Sequence, residues 1–294
     1  MTGEKFKAWV QASRPPFFIA TLIPLSAGTV LAMKAGVFDP GLFVLIVLAS
    51  FFVHLATNIA NDYFDHVQGT DAGDAIGGSR VLQEGKISLA ELRRALIVLY
   101  VAAALIGLYL ALAVELWVLL PIMAVAFFSS IFYVAPPVRY GYHGLGELFV
   151  GINMGPVMIL GAQWVLLGRV EWAAFPVSVP IGFMVALILY YQSLPDMDTD
   201  RAAGKRTLAV RLGKRGALQG LLAFWIIIYG TIAALTVAGY FSAYAWATIL
   251  TVPLLVKLWR IIQATDNWVE LDQHGKYIRI FYFINGLILI AALW

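Results

Sequence analysis

The sequence predicts an all-α membrane protein, a bundle of about nine transmembrane helices with cytoplasmic cap loops. Hydrophobic residues make up 61% of the 294 residues and charged residues only 13%, whereas soluble domains carry about 25% charged residues. The mean hydropathy is +0.84. Nine apolar segments approach the length of about 20 residues that a helix needs to cross a bilayer. All but two of the 20 Lys and Arg residues fall on one side of such a bundle, a distribution typical of membrane proteins.

The chain opens with a polar and aromatic segment that contains Phe6, Trp9 and Arg14. It lacks a signal-peptide pattern, and we expect an interfacial helix that ends at Pro15-Pro16. The spans that follow are expected at residues 16–33, 41–60, 95–114, 116–135, 145–167, 174–194, 216–239, 243–261 and 277–293. Only Glu115 separates the third span from the fourth, so eight spans are the alternative.

The distribution of basic residues predicts the orientation. With nine spans, only Lys34 and Arg169 lie on the side opposite the N-terminus, and the basic side of a membrane protein is the cytoplasmic one. The long connections 61–94, 195–215 and 262–276 are therefore expected on the cytoplasmic side. The protein itself is expected in the cytoplasmic membrane. The chain has no cysteine, which excludes disulfides and thiolate metal sites, and no long basic run indicates a nucleic-acid partner.

We interpret residues 1–294 as one domain. Two acidic segments follow the second and sixth predicted spans, so they emerge on the same side of the membrane. Four spans lie between them, which suggests a four-span repeat, about 16–135 and 145–261, followed by a last span at 277–293.

The first acidic segment contains Asn58, Asn61, Asp62 and Asp65, which lie on one face of a helix, and continues to Asp71. The second contains Gln192, Asp196 and Asp200, again at helical spacing. Ionisable groups at membrane ends are costly and usually functional. Their carboxylates would repel one another without a cation, so the segments predict a divalent metal with a polyanionic ligand. The alternative is acidic residues that cap solvated turns.

Basic and aromatic residues accompany both segments. The basic residues Arg80, Lys86, Arg139, Arg201, Lys205 and Arg206 are candidates to bind phosphate oxygens, although the positive-inside rule alone also explains basic residues in these loops. Phe132 and Tyr133 begin an aromatic connection, residues 132–147. Aromatic faces stabilise cations, whereas an interfacial aromatic belt is the alternative.

These motifs resemble those of the UbiA-type intramembrane prenyltransferases. Residues Asn61-Asp62-Tyr63-Phe64-Asp65, with Gly69 and Asp71, are similar to the family's first signature. Residues 196–208, with Arg211 and Gly213, are similar to the second. The spacing of Gly69 and Asp71, together with Arg14-Pro15 and residues 142–147, most resembles the branch that prenylates 1,4-dihydroxy-2-naphthoate in menaquinone synthesis.

The resemblance implies a nine-helix bundle that uses Mg²⁺ to transfer an isoprenyl group from its diphosphate to a lipophilic aromatic acceptor. By motif it implies the metal ligands Asn61, Asp65, Asp71, Asp196 and Asp200. We further expect Asn58, Asp62, Tyr133 and Lys205 to act in catalysis, with Lys205 also binding the diphosphate.

Two alternative functions stay open. The first is prenyl transfer to another acceptor, namely homogentisate, a chlorophyll precursor or a glycerol phosphate lipid. The second is secondary transport, although transporter sites lie near the bilayer midplane, whereas the acidic residues here cluster at one membrane face.

Overall fold

The computed structural model describes residues 3–70 and 77–294, and within these ranges it is helical, without a β-strand. Asp71 lies outside the described residues, so its role as a metal ligand stays a prediction. The α-helices are α1 Gly3–Ser13, α2 Ile19–Lys34, α3 Pro40–Val67, α4 Leu89–Ala113, α5 Leu119–Phe132, α6 Gly146–Ile152, α7 Met158–Leu167, α8 Phe175–Gln192, α9 Met197–Ala202, α10 Leu208–Val237, α11 Val252–Ala264 and α12 Lys276–Ala292. A π-helical turn, Asn153–Val157, joins α6 to α7 as one span.

In the described part of the chain, seven helical spans are long and apolar enough to cross a membrane. An eighth is possible if Gly3–Phe17 and Ile19–Lys34, which meet at a bend of 54°, count as one span. Helix α5 is apolar but has only 14 residues, fewer than a crossing helix usually needs. An all-helical membrane bundle is confirmed, whereas the count of nine spans stays a prediction.

The bend before α2 has a local cause. Arg14 adopts a left-handed conformation, with φ of 52°, and Pro15 and Pro16 follow it. Proline lacks the N–H group that would continue a helical hydrogen-bond ladder. Helix α1 therefore ends at Ser13, as the sequence predicts, and α2 leaves in a new direction.

Helix α3 carries the first acidic segment. It begins with the Asp39 side chain accepting a hydrogen bond from the Leu42 N–H, with Pro40 in its first turn. It continues to Val67, past the span end predicted at residue 60. Because the helix does not stop at the membrane boundary, Asn61, Asp62 and Asp65 lie on regular helical backbone rather than in a loop.

Two apolar cores flank the interior of the bundle. The larger core includes residues of α2, α7, α8, α10 and α12, with Trp164, Tyr190 and Tyr282 fully buried. The smaller core joins α1, α3 and α4. Gly182 of α8 lets its backbone approach that of α6, since a Cβ there would lie 2.5 Å from the Gly151 carbonyl oxygen. A large cavity lies between these packed groups of helices.

Candidate active site

A cavity of about 970 Å³ runs through the bundle and contacts both acidic segments. Its wall follows α3 from Ile46 to Asp65, which is about five helical turns. Apolar side chains of α4, α5, α7 and α8 form most of the remaining wall. Polar groups gather where the acidic segments meet, and they include Asn58, Asn61, Asp65, Asp196, Thr199, Asp200 and Lys205. The cavity thus combines a charged end with a long apolar chamber.

Helix α3 directs three of its four predicted site residues into this cavity: Asn58, Asn61 and Asp65. Asp62 does not line the wall. Its carboxylate instead forms an ion pair with Arg14 and accepts hydrogen bonds from the Ser79 hydroxyl and, at 3.0 Å, from the Ser79 N–H. These contacts favour a positioning role for Asp62, and its role in catalysis stays a prediction.

Asp65 is the contact point of three chain segments. Its Oδ1 atom accepts a 2.6 Å hydrogen bond from the Tyr142 hydroxyl, and its Oδ2 atom lies 3.5 Å from the Lys205 Nζ. Tyr142 also lies 2.6 Å from the Thr70 hydroxyl. The pKa of the Tyr142 phenol is raised, mainly by burial and secondly by the negative charge of Asp65. Tyr142 therefore stays a neutral donor that holds Asp65 in place.

The second acidic segment meets the first at Lys205. Helix α8 ends at Gln192, and Asp196 lies at the start of the short helix α9, which contains Asp200. Lys205 Nζ lies 3.5 Å from Asp200 Oδ1. Burial would lower the pKa of Lys205, but the carboxylates of Asp65 and Asp200 outweigh burial and raise it. Lys205 is thus a fixed cation between carboxylates of the two segments.

Asp196 is held less completely. It receives a backbone hydrogen bond from Gly77, while its Oδ1 atom is buried without a hydrogen-bond partner among the described residues. Burial and then repulsion from Asp200 raise its pKa to about 7. Burial also raises the pKa of Asp200. Further positive charge at this end of the cavity would therefore stabilise the ionised carboxylates of Asp196 and Asp200.

Tyr133 contributes an aromatic wall beside these charges. It lines the cavity, and its ring meets that of Tyr140 edge to face, with centroids 5.5 Å apart. The Gly141 N–H donates to the Tyr133 carbonyl at 2.9 Å, which fixes the turn. A tyrosine phenol is neutral at physiological pH, so the ring of Tyr133 offers an uncharged aromatic face to a cation.

Of the six basic residues predicted to bind diphosphate, the structure brings Lys205 alone into the lining that the described residues form. Arg139 donates to the Gln68 side chain at 2.8 Å and lies over the Tyr142 ring. Lys86 pairs with Glu84 at 2.6 Å, and Arg201 pairs with Asp198 at 3.5 Å on the surface. Arg80 and Arg206 also lie outside this lining. For these five residues, a role in diphosphate binding stays a prediction without support from the cavity geometry.

Comparison with known proteins identifies the family of this chain. The sequence profile of the UbiA prenyltransferase family matches residues 21–272. The chain belongs to the UbiA prenyltransferase family. It is therefore a membrane-embedded enzyme of the prenyltransferase class, as the paired acidic motifs indicate.

Three curated bacterial relatives of this UbiA enzyme are named 1,4-dihydroxy-2-naphthoate octaprenyltransferase. The Escherichia coli protein is 31% identical over 97% of this chain and 96% of its own length. The Bacillus subtilis protein is 30% identical over 88% of this chain and 81% of its own. The Mycobacterium tuberculosis protein is 35% identical over 74% of this chain and 75% of its own.

Solved structures share the UbiA fold. A UbiA homologue from Archaeoglobus fulgidus, bound to GPP and Mg²⁺, superposes with a TM-score of 0.65 at 17% identity, covering 97% of this chain and 99% of that one. A homologue from Aeropyrum pernix superposes with a TM-score of 0.64 at 21% identity, covering 93% of this chain and 98% of that one. These matches show that the chain has the same fold as these UbiA homologues.

The oxygen donors at the charged end suit a hard divalent cation such as Mg²⁺, which prefers carboxylates together with substrate phosphates. The buried Oδ1 atoms of Asn61 and Asp196 both lack a hydrogen-bond partner among the described residues. Within residues 3–70 and 77–294, no three acidic or histidine side chains form a ready-made cage. The two unpartnered oxygen atoms of Asn61 and Asp196 are the ones available to a metal ion.

Two basic residues of the described cavity lining were not among the site residues predicted from the sequence of this UbiA chain. Arg14 and Arg279 line the wall from opposite ends of the sequence. For Arg14, the sequence did offer an indication of a special position, because an arginine before Pro15-Pro16 occupies the bend between two helices. For Arg279 it offered no such indication, since the positive-inside rule alone explains a basic residue at the start of the last span.

Proposed function

We propose that this enzyme transfers an isoprenyl group from a polyprenyl diphosphate to 1,4-dihydroxy-2-naphthoate with loss of the ring carboxylate, a step of menaquinone biosynthesis. The observation that carries the proposal is the meeting of Asp65, Asp196, Asp200 and Lys205 at one end of an apolar cavity. The names of the bacterial relatives support the choice of acceptor.

The charged end is the site for the diphosphate. Asn61, Asp65, Asp196 and Asp200 would hold Mg²⁺, with Asp71 as a further predicted ligand. The metal would neutralise the charge that develops on the leaving diphosphate. Lys205, already positioned between two carboxylates, would donate charge-assisted hydrogen bonds to phosphate oxygens. The chain thus gathers positive charge where the leaving group needs it.

The reaction then proceeds at the aromatic wall. The bond between the allylic carbon and the diphosphate oxygen breaks, and the oxygen keeps the electron pair. The Tyr133 ring face stabilises the allylic cation. The ring carbon that bears the carboxylate attacks this cation, carbon dioxide leaves, and the electron pair of the broken bond restores the aromatic ring. The apolar chamber along α3 excludes water, which would otherwise trap the cation.

The basic side of the bundle supports a location in the cytoplasmic membrane with the charged end facing the cytoplasm. The prenyl diphosphate fits that placement. The diphosphate is a water-exposed anion attached to an apolar chain, and a cavity with one charged end and one apolar end accommodates both parts.

The decisive experiment supplies the purified protein in liposomes with a prenyl diphosphate, Mg²⁺ and carboxyl-labelled dihydroxynaphthoate. We expect labelled carbon dioxide and prenylated product in equal amounts, and neither product after the metal is chelated. If homogentisate or a glycerol phosphate were prenylated while dihydroxynaphthoate was not, the acceptor would be wrong although prenyl transfer would stand.

A further inference from the structure

Arg279, in the first turns of α12, lines the same cavity as the acidic segments. Its guanidinium carbon lies 5.3 Å from the centroid of the Phe17 ring. Within residues 3–70 and 77–294, no carboxylate lies at ion-pair distance from it. Its side chain is half-buried, so this charge lies within the wall rather than in free solvent.

The other cationic side chains of the wall have partners. Arg14 pairs with Asp62, and Lys205 lies between Asp65 and Asp200. Arg279 is therefore the one Arg or Lys of the described lining without a carboxylate oxygen within 4.0 Å, although Asp272 also lines the cavity. A partly desolvated cation without a counter-ion is costly, and an anionic ligand would remove that cost.

The contact with Phe17 determines which kind of anion suits this position. A guanidinium is planar, and it can rest against an aromatic face while its N–H groups still point outward in a fork. That fork matches the two oxygens of a carboxylate. The neighbouring aromatic ring suits a flat, apolar molecule. Together Arg279 and Phe17 fit an aromatic carboxylate better than a diphosphate.

We propose that Arg279 binds the carboxylate of the aromatic acceptor, with Phe17 beside the acceptor ring. The inference rests on the proposed function and adds a subsite to it. Both substrates are anions, and separate cations keep them from competing for the cluster of Lys205 and the acidic residues. Because the reaction removes the carboxylate, the product loses its contact with Arg279. The same residue therefore favours binding of the acid and release of the prenylated product into the bilayer.

The test compares wild type with Arg279→Gln, Arg279→Lys and the control Arg260→Gln, since Arg260 is exposed and lies outside the described lining. Equilibrium binding is measured for 1-hydroxy-2-naphthoate, for 1-naphthol, which lacks the carboxylate, and for pyrophosphate with Mg²⁺. We expect Arg279→Gln to weaken naphthoate binding roughly 10- to 100-fold, as for a lost charge-assisted hydrogen bond. Binding of naphthol and pyrophosphate should not change, and Arg279→Lys should be intermediate.

Equal losses for naphthoate and naphthol would overturn the proposal, as would a loss confined to pyrophosphate. If Arg279→Gln did not fold, the ratio of the wild-type affinities for 1-hydroxy-2-naphthoate and 1-naphthol would decide. Equal affinities for the two compounds would contradict a carboxylate subsite. Turnover separates this inference from the proposed function. Prenylation of dihydroxynaphthoate with an unchanged acceptor KM in Arg279→Gln would refute the subsite alone. Failure of wild type to prenylate that acid, with naphthoate binding still dependent on Arg279, would refute only the proposed acceptor.

Discussion

The ammonium nitrogen of Lys205 lies 3.5 Å from a carboxylate oxygen of Asp65. This contact joins the end of α3 to the loop that follows α9, and the equal distance to Asp200 completes the bridge. The protein thus supplies one cation of its own at the point where its two acidic segments meet. In the proposed site, this lysine would already be in place when a diphosphate enters with Mg²⁺.

Replacing Lys205 with Met should lower kcat/KM for the prenyl diphosphate by about 10- to 100-fold, because charge-assisted hydrogen bonds to the phosphate are lost. Lys205→Arg should retain part of the activity. Steady-state kinetics at saturating Mg²⁺ measure both variants. Lys257→Met is the control, since Lys257 lies over the Tyr277 ring, away from the described lining. Near-wild-type kinetics for Lys205→Met would remove this residue from the diphosphate site.

Asp196→Asn should abolish Mg²⁺-dependent prenyl transfer, whereas Asp198→Asn should leave it close to wild type. The two residues are separated by a single position, but Asp196 lines the cavity and the Asp198 side chain is 74% exposed, with Arg201 as its partner. Loss of a metal ligand removes charge that the diphosphate complex needs, whereas exposed ion pairs contribute little. Radiometric assays of prenylated lipid compare them, and equal activity in both variants would contradict the metal assignment.

The Mg²⁺ requirement should rise as the pH falls below about 7. Burial, followed by repulsion from Asp200, raises the pKa of Asp196 to about 7. A metal ligand must lose its proton to bind, so protons compete with Mg²⁺ below that pH. One competing proton predicts affinity about tenfold weaker at pH 6 than at pH 8. Calorimetric titration with Mg²⁺ in the presence of pyrophosphate compares wild type with Asp196→Asn, because protonation of the pyrophosphate is common to both, and the same pH profile in both proteins would argue against Asp196 as a ligand.

Hydropathy located the membrane helices well and their polar extensions poorly. The expected span 174–194 corresponds to α8, Phe175–Gln192, and 277–293 to α12, Lys276–Ala292. Helix α3 instead runs seven residues past its expected end, from 60 to Val67. A helix that leaves the bilayer keeps its backbone hydrogen bonds while its residues become polar, so hydropathy cannot show where it stops.

A cysteine at Ala203 should be protected from a membrane-impermeant thiol reagent in intact cells, and one at Arg169 should react. These exposed positions lie on either side of the membrane helix α8. The native chain has no cysteine, which gives a clean background. We expect this labelling pattern because Lys and Arg are concentrated on the predicted side of both acidic segments, which the positive-inside rule makes cytoplasmic. Labelling of Ala203→Cys, but not of Arg169→Cys, in intact cells would show that the orientation is opposite to the predicted one.

The site was predicted in part because helical spacing shows which residues share a face. Asn58, Asn61 and Asp65 do line the cavity, but Asp62, at the edge of the same face, does not. Its direction depends on Arg14 and Ser79, which come from distant parts of the chain. Basic loop residues were equally ambiguous, because topology and phosphate binding require the same residue types. Only tertiary contacts separate Lys205 from Lys86.

The position of Asp62 leads to a prediction about stability. Asp62 is almost fully buried, and its carboxylate is occupied by Arg14 and Ser79. Removing one partner of a buried ion pair typically costs about 3–5 kcal/mol, because the remaining charge is left without compensation. Asp62→Asn should therefore lower the melting temperature markedly. The double variant Asp62→Asn, Arg14→Gln should lose much less stability than the sum of the losses in the two single variants.

Thermal unfolding of the two single variants and the double variant measures this coupling, and turnover below the melting range tests catalysis separately. A positioning role predicts that Asp62→Asn keeps measurable prenyl transfer at low temperature. Loss of transfer with an unchanged melting temperature would instead restore Asp62 as a catalytic residue. Additive losses of stability would show that the pair does not act as a unit, since independent sites add and neighbours in one network do not.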